Sequence, residues 1–115
     1  MALPGLIAAM RLATFNVNSI RRRVPHLLRF LERHQPDLVV LQELKCKTEE
    51  FPAMEIAGSG YRMGALGQPG GRNGVAVLAR GDFSMVGDVL PGEPEDAQAR
   101  FVAVKFQGIT VAGIY

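Results

Sequence analysis

An apolar run from Met10 to Phe15 ends at Asn16 and Asn18, with Ser19 and three arginines directly behind. It reads as a strand over residues 10–16, and Asn-x-Asn at its end is a turn signal, because short carboxamides bond their own local backbone. Residues 19–24 read as a turn or short helical segment. From Val24 the apolar positions fall at Leu27, Leu28 and Leu31, the spacing of one helix face, with Arg29, Glu32 and Arg33 outside. Pro25 suits the first position of that helix, where its missing N–H costs nothing. Gln35-Pro36 stops it, since the ring disfavours helical geometry in the residue before it. Asp37 to Gln42 is then a largely apolar run, the mark of a strand buried on both faces, often in a parallel sheet. Strand, helix and strand over about thirty residues make a βαβ unit. In such sheets the chemistry gathers outside the carboxyl ends of the strands. Asn16 and Asn18 end the first strand and Gln42 and Glu43 the second, so the pattern predicts Asn16 and Glu43 on one crevice.

The second half is patterned for strands. A short helix is expected over residues 51–56 and a strand over 60–66, followed by the turn-rich "GQPGGRNG". Strands follow over 75–80, 83–90, 101–106 and 109–115, the last pair joined by a tight hairpin link at "QGI", residues 107–109. Residues 91–100, "PGEPEDAQAR", are a polar, acidic connection. Residues 1–9 read as a loose N-terminal extension with Pro4-Gly5 inside it. The stretch is too short to span a bilayer and lacks the basic start of a signal peptide. Ending at Tyr115, in or at the end of an apolar strand, is what a fragment would show.

Composition narrows the class without naming a function. Hydrophobic residues are 48% and charged residues 21% of the 115, a globular balance too apolar for disorder. The net charge of +2, with a pI near 9.0, permits a polyanionic partner without requiring one. Arginines cluster at Arg21-Arg22-Arg23, Arg29 and Arg33, yet such runs are more often a solvated face than a nucleic-acid contact. The single cysteine, Cys46, rules out an internal disulfide framework and fits a reducing cytoplasm. Lys45 and Lys47 on either side of it should lower its thiol pKa somewhat, but no His or Asp is placed by sequence to make it a nucleophile. No segment reads as membrane-spanning.

The stretch "LQELKCK", residues 41–47, carries the second candidate. A Glu directly after a buried strand suits a hard divalent cation, which takes carboxylate oxygens. Alone, it reads more readily as a polar strand end with a capping or ion-pair role. Asn16, Glu43 at the neighbouring strand end and Lys45 two residues on make a tighter pattern.

"TFNVNSIR", "HQPDLVVLQELK", "GYRMGALGQPGGRNGVAVLAR", "LPGEPEDAQAR" and "ITVAGIY" follow one another in an order that resembles the exonuclease III family of apurinic/apyrimidinic (AP) endonucleases, within the endonuclease/exonuclease/phosphatase superfamily. The resemblance runs from about Met10 to Tyr115. It implies an α/β (α+β) fold: half of a four-layer α/β sandwich, truncated after the first sheet, over residues 10–115. It implies that Glu43 is the principal Mg²⁺ ligand, with Mn²⁺ as a substitute, and that Asn16 supports the metal site and bonds its acidic neighbours. By the same resemblance Tyr115 reaches the scissile phosphate, Arg100 lies near bound DNA and Lys45 stands beside the metal-binding Glu. Asn18 stands where some members carry Asp, so its role is placed with the phosphate and DNA contacts and not with the metal. Asn73-Gly74 is expected to be a hairpin turn. The implied partner is double-stranded DNA with abasic sites or 3′ ends, and the full-length protein is expected to be a monomeric, cytoplasmic repair nuclease.

Such relatives carry further motifs past the Tyr: an Asp-x-Asn, a later acid and a terminal Asp-His pair. His26 and His34 are not placed like that missing histidine. The chain is therefore expected to be inactive alone, its one sheet lacking a partner and leaving an apolar face open to water. Two alternatives stand beside this reading: a non-catalytic DNA-binding or dimerising module, and a superfamily phosphatase acting on inositol phosphates or lipids. The order of the quoted motifs favours DNA.

Overall fold

The structure, a computed structural model, describes residues 9–89, 92 and 98–115. Most of the expected extension over 1–9, most of the acidic connection over 91–100 and Leu90, the last residue of the strand expected over 83–90, lie outside them. Among the described residues the order is β1 Leu12–Asn16, α1 Ile20–His34, β2 Leu38–Gln42, a 3-10 turn at Thr48–Glu50, α2 Ala53–Gly58, β3 Arg62–Leu66, β4 Val75–Ala79, β5 Ser84–Gly87, β6 Phe101–Phe106 and β7 Ile109–Ile114.

The βαβ unit forms as its pattern requires. β1 and β2 pair in parallel, from Leu12 opposite Leu38 to Asn16 opposite Gln42. β2 then pairs antiparallel with β4, and β4 with β3, giving a mixed sheet in the order β1-β2-β4-β3. Every residue of β2 and β4 is buried, because alternate side chains meet different layers. Val39, Leu41, Ala76 and Leu78 pack with Ile20, Leu27 and Leu31 of α1 and Ile56 of α2. Leu38, Val40, Val75, Val77 and Ala79 face the other way, onto Val102, Val104 and Phe106 of β6.

That second core corrects one expectation. The chain does not stop after a single sheet whose apolar face lies bare. β5, β6 and β7 form a second, antiparallel sheet that covers it. The two-residue period of β6 sends Val102, Val104 and Phe106 to one face. The α/β class stands, as three layers: helices, mixed sheet, antiparallel sheet. Gly113 of β7 sets how closely the sheets approach, since a Cβ there would lie 2.3 Å from Val40 Cγ1. The β6–β7 link turns through Gln107 (φ 49°) and Gly108 (φ 81°), the two left-handed residues of a two-residue hairpin. β5 ends early, at Gly87, where a bulge after Met85 breaks its register with β6.

A second correction concerns α1. It starts at Ile20, so Pro25 is interior and not the first helical residue. Tertiary bonds move the boundary. The Ser19 and Ile20 N–H groups donate to the carbonyls of Glu43 (2.9 Å) and Leu44 (3.0 Å), and Ile20 is fully buried. Orphan donors of the helix start are thus satisfied by the loop after β2.

Candidate active site

The carboxyl ends of β1 and β2 continue as a paired shelf beyond the strands. Val17 N–H donates to the Gln42 carbonyl at 2.9 Å, and the Ser19 and Ile20 bonds follow. On the other side, Leu44 and Lys45 N–H groups donate to the carbonyls of Gly74 (3.2 Å) and Asn73 (2.9 Å). Asn18, Ser19, Glu43, Lys45 and Asn73 all take positive φ, between 44° and 87°. Such conformations are disfavoured for non-glycine residues and persist where the surroundings over-determine them. Leu44 is the anchor, fully buried between Glu43 and Lys45, which are themselves half-exposed. Gly74 is required beneath it: its φ is +99°, and a Cβ would stand 2.7 Å from Leu44 Cβ.

On this shelf the side chains bond one another. Tyr115, next after β7, donates its hydroxyl to Glu43 Oε1 across 72 positions of sequence. The bond raises the Tyr115 phenol above its ordinary pKa, with desolvation and the Glu43 charge acting the same way and Arg100 opposing them. Tyr115 is itself held to Arg100: its N–H donates to the Arg100 carbonyl at 2.9 Å, and Arg100 Nε donates to the Tyr115 carbonyl at 2.8 Å. Lys45 Nζ donates to Asn18 Oδ1 at 2.6 Å. Arg21 reaches Glu50 Oε2 at 3.2 Å and the Lys45 carbonyl at 3.5 Å.

Glu43, Tyr115 and Arg100 thus form one group, and Lys45 with Asn18 a second beside it. Asn16 behaves differently. Its Oδ1 accepts from Asn18 N–H at 3.1 Å, closing an Asx turn. It lies at the same sheet end as Glu43, and its carboxamide oxygen is used locally. Among the described residues no group of three or more His, Cys, Asp or Glu is gathered. Glu43 supplies one carboxylate, which a Mg²⁺ site of one or two carboxylates and several waters can use.

Cys46 overturns the expectation drawn from its lysine neighbours. It points into the core, 1% exposed, and burial pushes its thiol up, not down. Alternation along the loop sends Leu44 and Cys46 inward and Glu43 and Lys45 toward the surface. Sequence reasoning also missed a carboxamide cluster behind the shelf. Asn73 Nδ2 donates to Gln68 Oε1 (3.0 Å) and Gln98 Oε1 (3.2 Å), and Ala99 N–H donates to Gln68 Oε1 at 2.9 Å. Asn73 therefore ties the turn to the segment that carries Arg100. Its signal in the sequence was faint: a carboxamide beside glycine, which suggests only a turn.

Among the described residues no helix is long and apolar enough to cross a membrane. The model of the endonuclease/exonuclease/phosphatase family matches residues 13–114. Exodeoxyribonuclease III of Haemophilus influenzae is 36% identical over 93 residues, which are 81% of this chain and 34% of that protein. The chain thus spans about a third of that curated relative's length. The solved structure of the 3′ phosphatase NExo from Neisseria bound to product DNA hairpin superposes with a TM-score of 0.89 at 37% identity, covering 93% of this chain and 41% of that one. An AP endonuclease from Archaeoglobus fulgidus gives a TM-score of 0.86 at 36% identity, again with 93% and 41% covered. By sequence and by fold, this chain belongs to the endonuclease/exonuclease/phosphatase family.

Proposed function

We propose that this chain is the N-terminal portion of a DNA-repair nuclease of the exonuclease III type, which hydrolyses phosphodiesters at abasic sites and 3′ ends of duplex DNA. The observation that carries the reading is the meeting of Tyr115 and Glu43 at the carboxyl end of the parallel strand pair, beside Arg100. The relatives' names, an exodeoxyribonuclease, a 3′ phosphatase and an AP endonuclease, support the substrate class. The reading places the complete enzyme in the cytoplasm as a monomer.

Glu43 would hold a Mg²⁺ ion, or Mn²⁺ in its place, with Asn16 nearby at the end of β1. That ion would neutralise charge on the phosphate and the leaving oxygen. The remaining roles fall to the protein. Tyr115 can donate a hydrogen bond from its hydroxyl to a phosphate oxygen once Glu43 is otherwise engaged, because the phenol keeps its proton and can change acceptor. Arg100, Lys45 and Asn18 offer donors to neighbouring phosphates, and fixed donors aimed at developing charge are the usual source of rate. Glu43 alone makes a sparse anchor, which supports the reading that this segment is not a competent nuclease by itself.

The test is Glu43→Ala in a full-length protein carrying this segment, assayed on a duplex with one abasic site. Metal-dependent cleavage should fall by about three orders of magnitude or more, as for other groups that act as a unit, with far-UV circular dichroism unchanged. Cleavage within a few-fold of the parent would remove Glu43 from the metal site.

A further inference from the structure

We propose that Asn73 is a positioning residue of the candidate site: its carboxamide sets the segment that carries Arg100, and with it Tyr115, against the loop that carries Glu43. The consequence for cleavage rests on the nuclease reading, and the geometry stands without it.

The backbone of the turn does not by itself require this side chain. Asn73 has φ 53°, and a glycine like Gly74 beside it would meet that need at no steric cost. An asparagine that serves only its own turn bonds backbone close by. Asn73 instead reaches 5 positions back to Gln68 and 25 forward to Gln98, donating from Nδ2 at 3.0 and 3.2 Å. The direction of these bonds is fixed. Ala99 N–H donates to Gln68 Oε1 at 2.9 Å, and a backbone N–H only donates. Gln68 must therefore present its oxygen, and Asn73 must meet that oxygen with its amide hydrogens.

Two sets of bonds meet at this residue. Toward the shelf, the turn is held at both ends. The Asn73 and Gly74 carbonyls accept from Lys45 and Leu44, Gln68 N–H donates to the Cys46 carbonyl at 3.1 Å, and Gly67 N–H donates to Thr48 Oγ1 at 2.9 Å. Toward the second sheet, one backbone–backbone bond joins the turn to residues 98–100 among the described residues: Gly74 N–H to the Ala99 carbonyl, at 2.9 Å. A single bond fixes a point and leaves the segment free to pivot about it. The Gln68 and Asn73 side chains remove that freedom. Arg100 follows directly and exchanges two bonds with Tyr115, whose hydroxyl returns to Glu43. The contacts thus close a ring from the Glu43 loop through Asn73, Ala99, Arg100 and Tyr115. A donor stabilises charge only where it is aimed, and a misplacement of about 1 Å can cost about a hundredfold in rate.

The test compares Asn73→Gly with Gln107→Gly in a full-length protein carrying this segment. Gln107 is also left-handed, at φ 49° in the β6–β7 hairpin, so both changes give the same backbone state to glycine. With Asn73→Gly, amide hydrogen exchange at Ala99 and Tyr115 should quicken by about tenfold or more, with the amides of β4 unchanged. On a duplex with one abasic site, kcat should fall about tenfold while KM changes by less than about threefold, because Arg100 keeps its charge and loses its aim. Gln107→Gly should leave exchange, kcat and KM as in the parent. In a background of Arg100→Ala with Tyr115→Phe, Asn73→Gly should add less than about a twofold loss, since a positioning residue acts only through the groups it positions. Unchanged exchange at Ala99 and Tyr115, a loss matched by Gln107→Gly, or a loss that persists in full without those two groups would each overturn the proposal. Normal cleavage in Glu43→Ala would remove the nuclease reading instead, and the exchange result would then decide whether Asn73 holds Arg100.

Discussion

The two ends of the mixed sheet use their polar side chains differently: at one end Tyr61, Arg80 and Asp37 serve the backbone, and at the other the side chains chiefly serve one another. At the end where β2 begins, side chains are tied to the backbone. Tyr61 donates its hydroxyl to the Pro36 carbonyl at 2.7 Å, Arg80 Nη1 to the Gln35 carbonyl at 3.1 Å, and Asp37 Oδ2 accepts from Arg11 N–H at 2.7 Å. These contacts close groups left open by the end of α1 and the start of the strands, and a buried backbone polar group must be paired. At the other end the side chains bond one another: Tyr115 to Glu43, Lys45 to Asn18, Arg21 to Glu50. Side chains also bond backbone here, Asn16 to Asn18 N–H and Arg100 to the Tyr115 carbonyl, but Tyr115, Glu43, Lys45 and Asn18 spend their side-chain groups on one another. Such side chains are free to trade their mutual bonds for a ligand, while Tyr61, Arg80 and Asp37 at the far end cannot do so without orphaning a backbone carbonyl or N–H. A polar cluster that the backbone does not need is the better candidate for function.

The comparison breaks most severely if the shelf itself is lost. Leu44 is fully buried in the core beneath α1 and holds Glu43 and Lys45 outward on either side. Leu44→Ala should cost about 2–5 kcal/mol, the range for truncating a well-packed core leucine. Urea unfolding would measure the loss. A cost below about 1 kcal/mol would mean that the loop after β2 is not anchored through Leu44.

The sequence carried the shelf well and the contact across it poorly. The βαβ unit, the burial of β2 and the placing of Asn16 and Glu43 at adjacent strand ends all follow from local periodicity and from one parallel crossover. The start of α1 did not, because the carbonyls that receive Ser19 and Ile20 lie more than twenty residues away in the loop after β2. Cys46 was misread because charged neighbours in sequence are not neighbours in space once the loop alternates. The second sheet was visible as strands, but no pattern says which face of which sheet a strand will cover. Tyr115 on Glu43 depends on that packing and on the close passage of Gly113 over Val40, so it was reachable only through resemblance to a family.

The same substitution at each end sharpens the comparison further. Tyr61→Phe removes one hydroxyl from the far end and leaves the buried Pro36 carbonyl without its donor. The expected cost is about 1–3 kcal/mol, the penalty for an unsatisfied buried acceptor. Burial, the main cause, raises the Tyr61 phenol above its ordinary pKa of 10.0. A phenol that keeps its proton longer when folded stabilises the fold fully below the unfolded pKa. It loses that contribution as pH climbs from there through the folded pKa. The parent should therefore lose stability above about pH 10, and Tyr61→Phe should remove that part of the loss. Identical alkaline profiles in the two proteins would show that Tyr61 does not titrate with unfolding.

Tyr115→Phe is the mirror of that experiment and should have the smallest effect on the fold. The ring stays, and its packing with it. Tyr115 is 41% exposed, and the hydroxyl lost bonds a half-buried carboxylate that water can solvate instead. Stability should therefore change by less than about 0.5 kcal/mol, as for a surface substitution. Function should respond in the opposite sense. In a full-length protein carrying this segment, cleavage should slow by on the order of 10²-fold, the usual consequence of removing one fixed donor from a developing negative charge. Duplex affinity should barely move, because Arg100 and Lys45 keep their charges. A stable variant with slowed cleavage separates the Tyr115 hydroxyl from the fold that positions it. Normal cleavage, or a loss of stability as large as that of Tyr61→Phe, would make the two ends of the sheet alike and return Tyr115 to packing.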